Sequence, residues 1–153
     1  MNLAYEIEIY RLCTLCGIYS KEELIKYLDN LISELDDVPF EVIEASLLSN
    51  KNINDISKKL KGLIDEKIYN EALVTEYLLH IISEKYYTRE ISLEDAIYYL
   101  DNMLKETYLP EEIIKEIQYL SDGLYLAKQN IYGETETIRK DFEKFINKGV
   151  NNE

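Results

Sequence analysis

Residues 20–34 recur 72 positions later as residues 92–106, and this internal match is what most limits how the chain can fold. The two segments are identical at eight of fifteen positions and share an unbroken Tyr-Leu-Asp-Asn tetrapeptide. Two similar helical segments that arose by chance would not be expected to share a run of this kind. The match therefore indicates a tandem duplication of one structural unit.

The similarity continues beyond this segment at other spacings. Pro39 aligns with Pro110, 71 positions later, and the apolar pattern around residue 60 recurs 82 positions later. Because the spacing grows from 71 to 82, the second copy holds eleven extra residues around residues 121–131, about three helical turns. The second copy is thus predicted to contain one longer helix.

The hydrophobic pattern of both copies is helical. Apolar residues recur every three or four positions, as in Leu24, Leu28 and Leu31, and no stretch of comparable length alternates with period two. Ser20 and Ser92 each precede acidic residues, as expected of an N-cap followed by an acidic first turn. The pattern predicts eight helices, at residues 3–16, 20–36, 39–49, 54–66, 70–86, 92–107, 110–131 and 135–148.

A unit of about seventy residues can bury a hydrophobic core only marginally on its own. A second copy stacked against it would cover apolar surface that is otherwise exposed to water. No Gly-, Ser- or Pro-rich linker separates the copies. The sequence therefore predicts a single all-α domain over residues 1–153, a compact eight-helix bundle made of pseudo-repeats at residues 1–68 and 69–150.

The net charge, the N-terminal segment and the amino-acid composition argue against several classes of protein. Thirty acidic residues against seventeen basic ones give a formal net charge of −13, which disfavours direct nucleic-acid binding through phosphate neutralisation. The N-terminal segment lacks the basic region of a secretory signal, and the longest uncharged run, residues 12–20, is too short to cross a membrane. Fourteen Lys, three Arg and twenty Ile are typical of AT-rich coding. We predict a bacterial or phage protein that is cytoplasmic and does not contact a membrane.

Few residues suggest catalytic chemistry. Cys13 and Cys16 fall at the end of the predicted first helix, where the helix dipole opposes thiolate formation, and a zinc site would need further ligands. They are interpreted as small buried apolar residues.

His80 lies in an apolar stretch and is interpreted as a core or boundary residue. No P-loop, HExxH, EF-hand or nucleophile elbow occurs, so we predict no catalytic residue, metal or cofactor, although an enzyme with paired carboxylates stays an alternative.

Tyrosine is the residue type that points to binding. Ten of the fourteen tyrosines follow residue 68, and tyrosine provides rigid contact area at low entropic cost. On the sixth predicted helix Tyr98 is expected to point outward, where the first copy has Lys26, whereas Tyr99 has a twin in Tyr27 and is expected to pack. The predicted binding patch comprises Glu94, Asp95, Tyr98, Asp101 and Asn102.

These observations predict a non-catalytic protein-binding module. Its acidic surface would steer it towards a basic protein partner, such as a toxin or a nuclease, which it would inhibit. In composition the chain is similar to the broad class of acidic helical immunity and inhibitor proteins, although no motif ties it to a family. The alternative hypothesis is a structural helical-repeat scaffold, or a subunit that self-associates as a homodimer through its exposed rings.

Overall fold

The computed structural model describes residues 2–150 of the chain and the side chains of residues 2–149. Within that range the regular structure is entirely helical, with eight α-helices, two short 3-10 turns and no β-strand. The predicted all-α class is therefore confirmed. The chain divides into two compact units, Met1–Asn70 and Glu71–Glu153, so the division falls two residues after the predicted repeat boundary. The single domain over residues 1–153 stays a prediction.

Each unit contributes four helices. The helices of the first unit are α1 (Leu3–Leu15), α2 (Lys21–Glu34), α3 (Phe40–Ser46) and α4 (Ile53–Leu60). The helices of the second unit are α5 (Glu71–Tyr87), α6 (Leu93–Glu106), α7 (Glu111–Lys128) and α8 (Thr135–Val150). The predicted fourth helix was too long, because the chain turns into the 3-10 segment Lys61–Leu63 and then becomes extended at Ile64.

Both units pack their helices in the same order. In the first unit α1 contacts α2, α2 contacts α3, α3 contacts α4, and α4 closes the ring on α1. In the second unit α5 to α8 repeat this closed order. The longer third helix of the second unit, α7, lies where the sequence places the additional residues. These features agree with a duplication, which stays a prediction about origin.

The two matched serines form the same cap. Ser20 Oγ accepts a hydrogen bond from the backbone N–H of Glu23 at 3.1 Å, and the Glu23 carboxylate accepts one from the Ser20 N–H at 2.9 Å. Ser92 and Asp95 repeat this reciprocal pair at 3.0 and 3.1 Å. Each pair satisfies amides that have no partner within the helix. The predicted N-caps of α2 and α6 are therefore confirmed.

The ends of α1 and α5 are also built alike. Gly17 follows α1 with φ of 87°, and Arg89, 72 positions later, follows α5 with φ of 64°. In each case the next residue returns a backbone hydrogen bond into the helix, from Ile18 N–H to the Cys13 carbonyl at 2.8 Å and from Glu90 N–H to the Lys85 carbonyl at 2.9 Å. This left-handed position favours glycine, so Arg89 occupies it at a steric cost.

We expect Arg89→Gly to raise the free energy of unfolding by about 0.5–1 kcal/mol, because the relieved strain exceeds the entropy that glycine adds to the unfolded chain. The Arg89 side chain is exposed and makes no polar contact with other described residues, so nothing else is lost. Urea denaturation measures the change. The matched variant Gly17→Arg should lower the urea midpoint, because it places a side chain at the equivalent left-handed position. A midpoint of Arg89→Gly at or below that of the wild type would contradict the prediction.

Each unit has a core of its own. The first is a cluster of fully buried side chains from all four helices: Ile7, Leu24, Leu28, Val42, Ala45, Ile56 and Leu60. The second unit buries side chains of α5 to α8 in the same manner, among them Leu78, Ile82, Leu100, Met103, Ile117 and Phe142. The apolar stripes of α2 and α6 therefore face inward, which leaves their opposite faces on the surface.

Candidate protein-binding surface

Two side-chain contacts fix how α6 and α7 lie beside each other. Lys128 Nζ lies 3.0 Å from Glu94 Oε1, and Ser121 Oγ donates a hydrogen bond of 2.7 Å to Asp101 Oδ2. As residue numbers rise along α6 from Glu94 to Asp101, those of their partners fall along α7. The two helices are therefore antiparallel neighbours, held by one contact towards each end.

The same two contacts place a tyrosine from each helix between them. Tyr98 is one turn from both Glu94 and Asp101, and Tyr125 is one turn from both Ser121 and Lys128. The two tyrosines therefore lie at the same level of the helix pair. We name this surface the α6–α7 face; its residues are Glu94, Tyr98, Asp101, Ser121, Tyr125 and Lys128.

Both tyrosines of the α6–α7 face are open to solvent. Tyr98 is 60% exposed and Tyr125 is 63% exposed. Within residues 2–149 neither hydroxyl makes a hydrogen bond. Tyr99, the neighbour of Tyr98, is only partly exposed, so the outward and inward directions predicted for these two rings are observed. Two large amphipathic side chains thus offer both ring area and polar tips.

The predicted acidic residues have roles within the helix pair. Asp95 caps the start of α6, Asp101 is partly buried and binds Ser121, and Asn102 is partly buried. A hydrogen bond from its own backbone N–H and the ion pair with Lys128 hold the pKa of Glu94 below its ordinary value. Glu94, Asp95 and Asp101 are therefore bonded within the helix pair, whereas the hydroxyls of Tyr98 and Tyr125 are open to a binding partner.

The aspartate in the middle of α6 has a counterpart in the first unit. Asp29, the residue matched to Asp101, accepts a hydrogen bond from the Ser46 hydroxyl on α3. In both units a poor helix former is therefore retained in a helix where it binds a serine of the following helix.

Two other exposed tyrosines of the second unit have bonded hydroxyls. Tyr87 donates to Asn147 Oδ1 at 3.0 Å, and Tyr119 donates to Asp141 Oδ2 at 2.7 Å. The bond to Asp141 favours the neutral phenol and raises the pKa of Tyr119. Tyr119 also borders a cleft of about 330 Å³ between α7 and α8. Tyr87 and Tyr119 are exposed, but their hydroxyls are bonded within the unit, whereas Tyr108 and Tyr132 are 79% and 78% exposed and make no hydrogen bond within residues 2–149.

Tyrosines of the first unit pack against one another. The rings of Tyr10 and Tyr27 are stacked at 3.7 Å between centroids, and Tyr19 lies 5.0 Å from Tyr10. Burial raises the pKa of Tyr27, whose hydroxyl has no hydrogen-bond partner among the described residues. Exposed tyrosines are thus a property of the second unit.

The residues considered for catalysis lie apart from this surface. Cys13 and Cys16 are completely buried, as predicted. The prediction for His80 is wrong, because it is exposed: on α5 it lies on the face opposite Leu78 and Ile82, although its neighbours in sequence are apolar. In the part of the chain that the structure describes, no group of three or more His, Cys, Asp or Glu side chains is arranged to hold a metal ion.

No family model matches the chain, and no curated protein or solved structure matches it. None of the helices within residues 2–150 combines the length and the apolar composition that a membrane span requires.

Proposed function

We propose that this protein is a non-catalytic binding module that docks on a basic protein through the α6–α7 face and inhibits it. The observation that carries the proposal is the pair of exposed tyrosines, Tyr98 and Tyr125, placed at one level with unbonded hydroxyls. A toxin or nuclease domain is a fitting partner, because its basic substrate-binding surface would be covered.

Paired tyrosines are well suited to bind a protein. A tyrosine ring buries a large area with few rotatable bonds, and its hydroxyl can bond to the partner's backbone or side chains. The contacts from Glu94 to Lys128 and from Asp101 to Ser121 hold the helices that present these rings. A preorganised surface loses little conformational entropy on binding.

The charge distribution favours a basic partner. Residues 71–153 carry seventeen acids and nine bases, a formal charge of −8, whereas residues 1–70 carry thirteen acids and eight bases, a charge of −5. The more acidic half of the sequence is therefore the one with the exposed tyrosines. The electrostatic field of an acidic surface accelerates encounters with a basic protein, and this attraction weakens as salt is added.

The test begins by identifying the partner. A photo-crosslinking amino acid at position 125, introduced in cells that encode the protein, labels the molecule bound at the α6–α7 face. The captured protein is then purified, and its affinity is measured for the wild-type chain and for Tyr98→Lys. We expect Tyr98→Lys to weaken binding by at least about 30-fold, since buried tyrosines are frequent hot spots.

Matched variants keep this test specific. Tyr98→Lys introduces the residue that the first unit has at the matched position of α2, so α6 should tolerate it, and Tyr98→Ala separates loss of the ring from gain of charge. Lys26→Tyr is the reciprocal control and should leave the affinity unchanged. An acidic partner, an association rate indifferent to salt, or equal affinity of the variants would reject the proposal. A homodimer that Tyr98→Lys dissolves would favour the self-associating subunit instead.

A further inference from the structure

The first unit has a surface of different chemistry. Residues 27–50 contain six acidic residues and neither Lys nor Arg. The same stretch holds four exposed large hydrocarbon side chains, at the end of α2 and along α3: Ile32, Leu35, Phe40 and Leu47. Among the described side chains of the second unit, by contrast, the exposed large hydrophobic ones are tyrosines together with Ile131. The two units therefore present chemically distinct surfaces.

Phe40 and Leu47 lie on one side of α3. They are seven residues apart, which is two helical turns, and they are 67% and 76% exposed. At the shift of 71 that aligns Pro39 with Pro110, the matching residues on α7 are Glu111 and Gln118, both exposed. The third helix of a four-helix unit therefore does not need apolar residues at these two positions, so the stability of the fold does not explain Phe40 and Leu47.

The acids around these side chains are available to a partner. Glu34, Asp36, Asp37 and Glu41 are exposed, and none of them makes an ion pair or a side-chain hydrogen bond with another described residue. Glu44, in contrast, pairs with Lys59 at 3.2 Å. We name the combined surface the α3 face; it consists of Ile32, Glu34, Leu35, Asp36, Asp37, Phe40, Glu41 and Leu47.

We propose that the α3 face is a second docking surface, and that it takes a basic amphipathic helix of a partner protein. Apolar residues of such a helix, spaced three or four apart, would cover Phe40 and Leu47, and its Lys or Arg side chains would meet the unpaired carboxylates. A second copy of this chain is a poor occupant, because a symmetric contact would bring the same acids face to face. This surface differs from the α6–α7 face in location and in chemistry, so it does not depend on the function proposed above.

A designed peptide provides the probe. An 18-residue peptide of Leu and Lys at helical spacing, labelled with fluorescein, is titrated with the full chain at physiological salt and followed by anisotropy. The control peptide carries Glu in place of every Lys. We expect the Leu–Lys peptide to bind and the Leu–Glu peptide to bind at least about 30-fold more weakly.

A double variant localises the binding. Phe40→Glu with Leu47→Gln installs the residues that α7 has at the matched positions, so the helix should still form, and circular dichroism verifies this. The variant is more acidic than the wild type. A loss of about 30-fold in affinity for the Leu–Lys peptide would therefore report the missing hydrocarbon contact and not a weaker charge attraction.

The remaining outcomes separate the two proposals. Tyr98→Lys should leave the peptide affinity within about two-fold of the wild type, since Tyr98 belongs to the other unit and is not part of the α3 face. Equal binding of the Leu–Lys peptide to the double variant, or equal binding of the two peptides to the wild type, overturns the inference. So does a dimer that sedimentation detects and the double variant abolishes, because the occupant would then be a second copy.

Discussion

Replacing Arg11 by methionine is expected to lower the free energy of unfolding by about 3 kcal/mol. Arg11 and Glu8 lie on α1 and are only 8% and 6% exposed. Arg11 Nε donates to Glu8 Oε1 at 2.8 Å, and Nη1 donates to the Ser57 hydroxyl on α4 at 2.9 Å. Without the guanidinium the Glu8 carboxylate would stay buried without a counter-charge. Urea denaturation of the variant measures the loss.

Two further variants distinguish a buried charge from a lost contact. Adding Glu8→Leu to Arg11→Met removes the stranded carboxylate and should restore most of the lost stability, because an apolar pair often replaces a buried ion pair at little cost. Lys115→Met breaks an exposed ion pair with Glu111 and should change stability by less than about 0.5 kcal/mol. If Arg11→Met lowered the free energy of unfolding by no more than Lys115→Met does, the Glu8–Arg11 pair would have to be exposed to solvent, which would contradict the prediction.

The helical class and the caps could be predicted because they depend on local pattern. Periodic leucines and the serines at positions 20 and 92 determine where helices form and begin, and these features need no knowledge of neighbouring elements. The buried pair of Glu8 and Arg11 could not be predicted in the same way. A charge on a mostly apolar helix is ordinarily expected at the surface, and only the proximity of Ser57 on another helix shows that it is satisfied in the interior.

The candidate surface was predicted in part. The outward direction of Tyr98 followed from the apolar stripe of α6 and from Lys26 at the matched position. The sequence does not place Tyr125 in this surface, because its position beside Tyr98 depends on the antiparallel alignment of α6 with α7, which no single-helix pattern contains. The cap formed by Asp95 could have been found in advance, since Ser92 and Asp95 have the three-residue spacing of a capping box.

The largest stability effect is expected in the core of the second unit. Phe142 on α8 is completely buried, and its ring forms a T-shaped pair with Tyr86 on α5, at 4.9 Å between centroids and 79° between planes. Phe142→Ala removes this contact and leaves a cavity that the surrounding helices can fill only in part. We expect the free energy of unfolding to fall by about 4 kcal/mol, measured by urea denaturation.

Phe40 on α3 provides the matched control for this substitution, since the same chemical change is made on an exposed ring. Because Phe40 is 67% exposed, Phe40→Ala should change the free energy of unfolding by less than about 0.5 kcal/mol. If Phe40→Ala leaves the free energy of unfolding unchanged, the first unit does not need the Phe40 ring for its own stability. The ring would then be free to contact another protein, as the proposed α3 face requires. A loss from Phe40→Ala approaching that from Phe142→Ala would instead assign Phe40 to the core and remove the apolar basis of the α3 face.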